Sequence, residues 1–374
     1  MIAAVVLALA SSAGDTAFRA GDFTQARQAY AVQWQADRND VDAAVGLARL
    51  ALYDNRFDQA RRWIAIAQAI APNDARAGTA AHVLAERTDR SLDRVAPHSG
   101  PARATFVQTD PLPIVQATID GRSARLLIDT GAPSIVLDTR FAAALGITVS
   151  GTQQGTFAGG KHAQVLEASV RRLDVGGWNI GDVPASILPV RDIMGERSPI
   201  EGIIGTGLFS RFLTTIDYRS GALILRDPDD SAAFEREAAA RGATIVPMWL
   251  VGDHFIFVRA RAGVGPEGLF NVDTGATFGV QLTQGAIEAA GITLASEDTR
   301  PGVGGGGVTA FVPFRTSVAL GSLVQTGVDG VYTPQGNQYG IFPFDVTGTI
   351  SYDFFRKTTL TFDFRAMRLV IESD

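Results

Sequence analysis

The chain contains no cysteine among its 374 residues. That removes thiol nucleophiles, cysteine-ligated zinc, disulfides and a lipid-bearing cysteine, and it leaves the redox compartment open. Histidine is scarce: His82, His98, His162 and His254 are scattered, with no H-E-x-x-H among them, so the spacing that holds a catalytic zinc is missing. Neither a G-x-S-x-G elbow nor a G-x-x-x-x-G-K-[ST] phosphate loop occurs, which removes the usual marks of a serine hydrolase and of a nucleotide phosphate site. No run of Lys or Arg could follow a phosphate backbone, and the formal net charge is -6, so nucleic acid is not an expected partner. Beyond the first residues, no stretch reaches the roughly 18 uncharged apolar residues of a membrane span.

What is present describes a chain able to bury a core. Hydrophobic residues make up 46% and charged residues 19%, and the length predicts two or three domains. The opening "MIAAVVLALASSAGD" places an apolar stretch, Ile2 to Ala10, before Ser11-Ser12-Ala13, the small residues of a signal-peptidase site. Although a basic n-region is lacking, residues 1–13 read as a signal peptide, with a periplasmic or secreted location. The competing reading is an apolar first turn of the helix that follows.

A repeat comes next. "AGDFTQARQAY" returns as "YDNRFDQARRWI", pairing Phe23 with Phe57, Ala26 with Ala60 and Arg27 with Arg61, each at an offset of 34. Asn39-Asp40 returns as Asn73-Asp74 at the same offset, and the apolar residues between fall at helical spacing. Residues 14–88 therefore read as all-α and resemble tetratricopeptide repeats, whose helix pairs stack with this period. Two units are few for independent stability, and a plain helical spacer competes with a protein-recruiting surface. The polar, Pro-bearing "TDRSLDRVAPHSGPAR" then marks a linker over 89–103.

From Ala104 on, short apolar bursts are broken by Gly, Asp and Pro, the pattern of many short strands. Helical stretches are few: "DTRFAAALG", "SAAFEREAAAR" and "TQGAIEAAG". This part is written twice. "LLIDTGAPSIVL" and "LFNVDTGATFGVQL" place Asp129 and Asp273 at the ends of apolar runs 144 residues apart. Gly146-Ile147-Thr148 returns as Gly291-Ile292-Thr293 at an offset of 145, and "EGIIGTGLF" and "IDYRSGALIL" return as "TGTISYDFF" and "FDFRAMRLVI" at 146. Two similar lobes, 104–232 and 243–374, can face each other across a pseudo-two-fold axis and bring Asp129 and Asp273 together.

Two carboxylates at close range cannot both ionise readily, so one keeps a proton while the other is charged. The charged member can take a proton from water while the neutral one polarises a peptide carbonyl. Gly131 and Gly275 let the backbone turn directly after each acid, and Thr130 and Thr274 are placed to bond across the axis.

These motifs resemble the aspartic proteases of the pepsin and retropepsin group, whose signature is Asp-Thr/Ser-Gly-Thr/Ser/Ala with a later hydrophobic-hydrophobic-Gly element in each lobe. Ala132 and Ala276 follow the Gly as in retropepsins. Ile203-Ile204-Gly205 supplies the later element of the first lobe, but Thr349-Ile350-Ser351 puts Ser where Gly is expected, which questions the packing beneath Asp273. The resemblance implies a mainly β, bilobal acid-protease fold of two similar β-barrel lobes. It also implies Asp129 and Asp273 as catalytic acids, supported by Thr130, Gly131, Ala132, Thr274, Gly275 and Ala276. The substrate would be a peptide or protein, with no metal and no cofactor. Both acids lie in one chain, so a monomer suffices.

Gly302, Gly304 and Gly307 have G-x-G-x-x-G spacing, but the strand-then-helix flanks of a dinucleotide site are missing, and a mobile β-hairpin is expected instead. Gly159-Gly160 and Gly305-Gly306 correspond at offset 146 and, with Phe157, are flap candidates on the retropepsin pattern; plain surface hairpins are the competing reading. Asp217 and Asp363, each two residues before an Arg (Arg219, Arg365), read as a turn or a structural salt link. The expected activity is aspartic endopeptidase. A catalytically silent peptide-binding protein, suggested by Ser351 and the repeats, is the alternative.

Overall fold

A computed structural model describes residues 12–89, 91, 93–157, 161–194, 200–295, 299–304, 307–334, 336 and 338–373. Most of the expected signal peptide, and Gly159, Gly160, Gly305 and Gly306 of the candidate flaps, lie outside the described residues. The chain divides into two compact units: residues up to Glu86 together with Phe342–Asp345, and Arg87–Ile341 together with Val346–Asp374. Among the described residues no helix is long and apolar enough to cross a membrane.

The first unit is helical: α1 (Ala13–Arg19), α2 (Phe23–Ala36), α3 (Val41–Tyr53), α4 (Phe57–Ile70) and α5 (Ala75–Thr88), whose last two residues fall outside it. The Asn-Asp pairs that recur in sequence are helix starts. Asp40 accepts the Ala43 N–H at 2.9 Å and Asp74 the Ala77 N–H at 3.2 Å, which satisfies donors that a first turn leaves orphaned. Ala26 and Ala60 are fully buried because the helices approach closely there. Gly46 lies flat against the Tyr30 ring, where an added Cβ would fall 2.4 Å away. The two copies then diverge. Arg27 reaches Asp54 at the end of α3, whereas Arg61 pairs with Asp58 on its own helix. Phe23 is wholly buried, with Phe18, Tyr53 and Phe344 around it, while Phe57 is only half-buried.

The second unit is β-rich and carries the duplication. Arg122–Asp129 lies parallel to Gly202–Gly205, with Asp129 opposite Gly205, and Gly268–Asp273 lies parallel to Gly348–Ser351, with Asp273 opposite Ser351. In each lobe a short strand, Ile135–Asp138 or Val280–Leu282, runs antiparallel to that partner on its other edge. The acid-bearing strands are apolar runs because they are covered on both faces. Leu126, Ile128, Phe270 and Val272 are fully buried, each contributing about 1.5–3 kcal/mol of burial.

The lobes share an antiparallel sheet. Leu213–Asp217 and Thr359–Asp363 pair at its centre, with Thr215 opposite Thr361 and their hydroxyls 2.8 Å apart. Ala222–Arg226 and then Ala102–Gln108 extend it on one side, Arg368–Glu372 and then Thr244–Val251 on the other. Thr215 and Thr361 are 146 residues apart, so the symmetry axis of the duplication passes between them.

The expected linker is partly built into the first lobe. Arg94–Val95 pairs with the strand Trp178–Leu188, and buried Asp93 meets Arg211 at 3.1 Å. Its polar composition concealed this, because one ion pair and two residues of strand leave no apolar period to read. The Gly-rich stretch around Gly302 is an antiparallel hairpin, Arg300–Gly304 with Gly307–Leu320, not a strand leading to a helix.

Candidate active site

The strands deliver both acids to one place. A methyl built on Gly275 would fall 2.1 Å from the Asp129 Cγ, and one on Gly131 would fall 2.6 Å from the Asp273 Cγ. Each carboxyl thus sits over the opposite lobe's glycine, where no other residue fits. Each also accepts the N–H of its own Gly, Gly131 onto Asp129 at 2.8 Å and Gly275 onto Asp273 at 2.9 Å. The two carboxyls are close enough to act on each other electrostatically.

Beneath them the threonines cross. Thr130 N–H donates to the Thr274 hydroxyl and Thr274 N–H to the Thr130 hydroxyl, both at 3.0 Å and both buried. The Thr130 hydroxyl donates to Val272 O at 3.0 Å, while the Thr274 hydroxyl reaches Ile128 O only at 3.5 Å. Four groups that burial would otherwise orphan are paired across the axis, which fixes the spacing of the acids.

Burial raises the carboxyl of Asp129 well above the usual range, and the neighbouring charge of Asp273 adds to it. Burial raises Asp273 as well, but the Gly275 N–H, the proton held by Asp129 and the charge of His254 oppose the rise. Both carboxyls are thus raised, and they share a proton and titrate as a pair.

Ser351 occupies the position of Gly205. At Gly205 a Cβ would fall 2.0 Å from Pro133 O. In the second lobe the fully buried Ser351 turns its hydroxyl onto Ala276 O at 2.8 Å and onto Asp273 O. The expected packing problem is resolved there: the loop makes room for the side chain and gains a polar tie to the acid's own carbonyl. Ala132 is buried and Ala276 half-buried, and their carbonyls accept Thr206 N–H at 3.0 Å and Tyr352 N–H at 3.3 Å.

Phe157 ends the strand Gly151–Phe157 and folds its half-exposed ring back over Gly155, whose Cβ would fall 2.9 Å from it. Phe311 covers Gly302 in the second lobe's hairpin in the same way. The tips of both hairpins lie outside the described residues. Asp217 and Asp363 are held away from the acids: Asp217 accepts from Ser220 N–H at 3.0 Å and Thr359 Oγ1 at 3.1 Å, and Asp363 from Arg365 N–H at 3.0 Å and Ser231 Oγ at 2.5 Å. The turn half of that expectation describes both. The salt link to Arg365 does not form, since the turn N–H groups occupy Asp363 and the guanidinium pairs with Asp229.

Sequence reading passed over Tyr218 and His254. Tyr218 is buried against Tyr352, ring centroids 5.5 Å apart. Burial raises that hydroxyl's pKa, and the charges of Tyr352 and of both acids add to the rise. The charge of His254 opposes the rise at Asp273. An aromatic in a strand and one histidine among four carry no motif, so only the register could find them. A cavity of about 510 Å³ lined by Arg122, Arg140, Arg191 and Glu201 lies at the far end of the Arg122–Asp129 strand from the acid. Among the described residues no group of His, Cys, Asp and Glu is arranged to hold a metal ion.

Two duplicated lobes, acids paired over facing glycines and threonines crossed beneath them define the architecture of a bilobal acid protease. Residues 115–208 match a family model for aspartyl proteases, and residues 17–82 match one for tetratricopeptide repeats. A segment similar to aspartyl proteases is thus preceded by one similar to tetratricopeptide repeats. Asp129 falls within the matched segment, and Asp273 enters through the internal duplication. A comparison with curated proteins finds no match.

Proposed function

We propose that the chain is an aspartic endopeptidase in which Asp129 and Asp273 hydrolyse peptide bonds of proteins or peptides through an attacking water. The observation that carries this is the pair of carboxyls, each seated over the opposite lobe's glycine. Asp273, as carboxylate, takes a proton from the water as its oxygen attacks the scissile carbonyl carbon, and Asp129 gives its proton to the carbonyl oxygen. A tetrahedral gem-diol results. On collapse, Asp273 passes its proton to the leaving nitrogen, the C–N bond breaks, and Asp129 recovers a proton from the diol oxygen, restoring the starting state.

Ser351, the ground for a catalytically silent peptide binder, leaves Asp273 in place, which favours the enzyme over that reading. Both acids come from one chain, so a monomer suffices. The repeats serve as a surface for a protein partner, and residues 1–13 direct the chain to the periplasm or outside the cell.

The test is cleavage of an unfolded protein and a peptide library from acid to neutral pH, beside Asp129→Asn and Asp273→Asn. Turnover by the wild type alone, suppressed by a statine-type inhibitor, is expected. Equal behaviour of wild type and variants would overturn the proposal.

A further inference from the structure

Each acid stands at the head of a tight Asp-Thr-Gly-Ala loop, and the two loops are held by different hydroxyls. In the first lobe Gly205 faces Asp129, and its missing side chain lets the loop lie against the strand. An added Cβ there would meet Pro133 O at 2.0 Å and Ala132 O at 2.3 Å. A main-chain bond, Ala132 N–H onto Asp129 O at 3.2 Å, closes that loop. The next residue, Thr206, is fully buried and donates its hydroxyl to Thr130 O at 2.8 Å.

The second lobe carries Ser-Tyr where the first has Gly-Thr, with Ser351 facing Asp273. Tyr352 gives its hydroxyl to Thr109 O at 3.1 Å, so it does not take up the part of Thr206. The bond that would match the first closure, Ala276 N–H onto Asp273 O, is absent among the described residues. Ser351 stands in for both. Its fully buried hydroxyl lies 2.8 Å from Ala276 O and also bonds Asp273 O, the carbonyls at the two ends of the loop. The hydroxyl that ties strand to loop has thus moved by one residue between the lobes, onto the position opposite the acid. Between those two carbonyls lie Thr274 and Gly275, and Gly275 is the seat of the Asp129 carboxyl, 2.1 Å from where its Cβ would be. The loop that Ser351 holds therefore carries the main chain of one acid and the surface on which the other rests.

We propose, building on the protease reading above, that Ser351 is a positioning residue: its hydroxyl, in place of a main-chain closure, pins the Asp273–Ala276 loop and so sets the separation of the two carboxyls. Burial leaves no water to take over the bond when the hydroxyl is removed. Serine at this position is then a requirement of the second lobe, and glycine, which suits the first, would loosen it.

Two measurements test this. Ser351→Ala keeps the Cβ and loses the hydroxyl; it lowers kcat by at least about tenfold and leaves KM within about twofold, because the acids shift while substrate contacts stay. Ser351→Gly, which copies the first lobe and removes any crowding, behaves like Ser351→Ala. Wild-type kcat in either variant overturns the proposal. The second readout needs no turnover: the carboxyl carbons of Asp129 and Asp273 are titrated by NMR. Two carboxyls held close titrate in two separated steps, so a loosened loop brings the two midpoints together by about half a pH unit in Ser351→Ala. Ser351→Gly carries both measurements if Ser351→Ala does not fold. An unchanged separation overturns the role of Ser351 whether or not the chain cleaves peptides, whereas absent cleavage with a narrowed separation overturns only the protease reading.

Discussion

Replacing Thr130 by Val removes one hydroxyl and leaves the volume nearly unchanged. That hydroxyl accepts Thr274 N–H at 3.0 Å and donates to Val272 O at 3.0 Å, and both threonines are buried. Water cannot replace it, so a buried N–H and a buried carbonyl each lose a partner. An unsatisfied buried group costs about 1–3 kcal/mol, the carbonyl at the lower end because it has a second lone pair, so the loss is about 2–4 kcal/mol. Thr274→Val is expected to cost less, about 1–3 kcal/mol, because only the Thr130 N–H loses a bond of full strength; the contact with Ile128 O, at 3.5 Å, is already weak. Urea denaturation followed by near-ultraviolet circular dichroism measures both, with Thr130→Ser, which keeps the hydroxyl, as the control. The double variant should cost less than the sum of the single ones, since each change removes part of the same network. Activity should fall by at least about tenfold in either variant, because the grip sets the separation of the acids. Thr130→Val within about 0.5 kcal/mol of wild type, with kcat preserved, would refute the reasoning that crossed threonines hold the lobes in register.

The duplication explains why so much of the site was legible. Asp-Thr-Gly-Ala twice, at the ends of apolar runs, sufficed to pair Asp129 with Asp273 and to place Thr130 and Thr274 on the axis, because each is defined by an offset that the sequence displays. Helix starts at Asp40 and Asp74 were legible for the same reason. What breaks the repeat was not. Tyr218 stands where the second lobe has Phe364, and His254 has no histidine as counterpart in the first lobe, so neither is marked by the repeat. Their relation to the acids depends on strand register, which one sequence does not state. Phe342–Asp345 belongs by packing to the helices although it lies deep in the β-rich sequence, because Phe344 meets Phe18, Phe23 and Tyr53 edge-on. No local pattern encodes such a long-range aromatic contact.

Phe344→Ala is expected to destabilise the helical unit by about 3–5 kcal/mol, as removal of a buried aromatic ring does, and to lower the midpoint of its melting at 222 nm; an unchanged midpoint would contradict the packing described for Phe18, Phe23 and Tyr53. The dyad itself should weaken the fold at neutral pH. Burial raises both carboxyls above the ordinary value of 3.8, and the charge of Asp273 adds to the rise at Asp129, so between that value and the raised ones the folded chain holds more protons than the unfolded chain. Stability contributed by these groups is then fully present below about pH 4 and is lost as pH rises through the raised values. Asparagine at both positions cannot ionise and escapes this loss. The thermal midpoint of Asp129→Asn/Asp273→Asn should therefore exceed that of wild type by a margin that widens from pH 4 to pH 7. A margin that is constant or narrows over that interval would show that the folded chain does not hold the extra proton, and the raised, proton-sharing pair of Asp129 and Asp273 would fall with it.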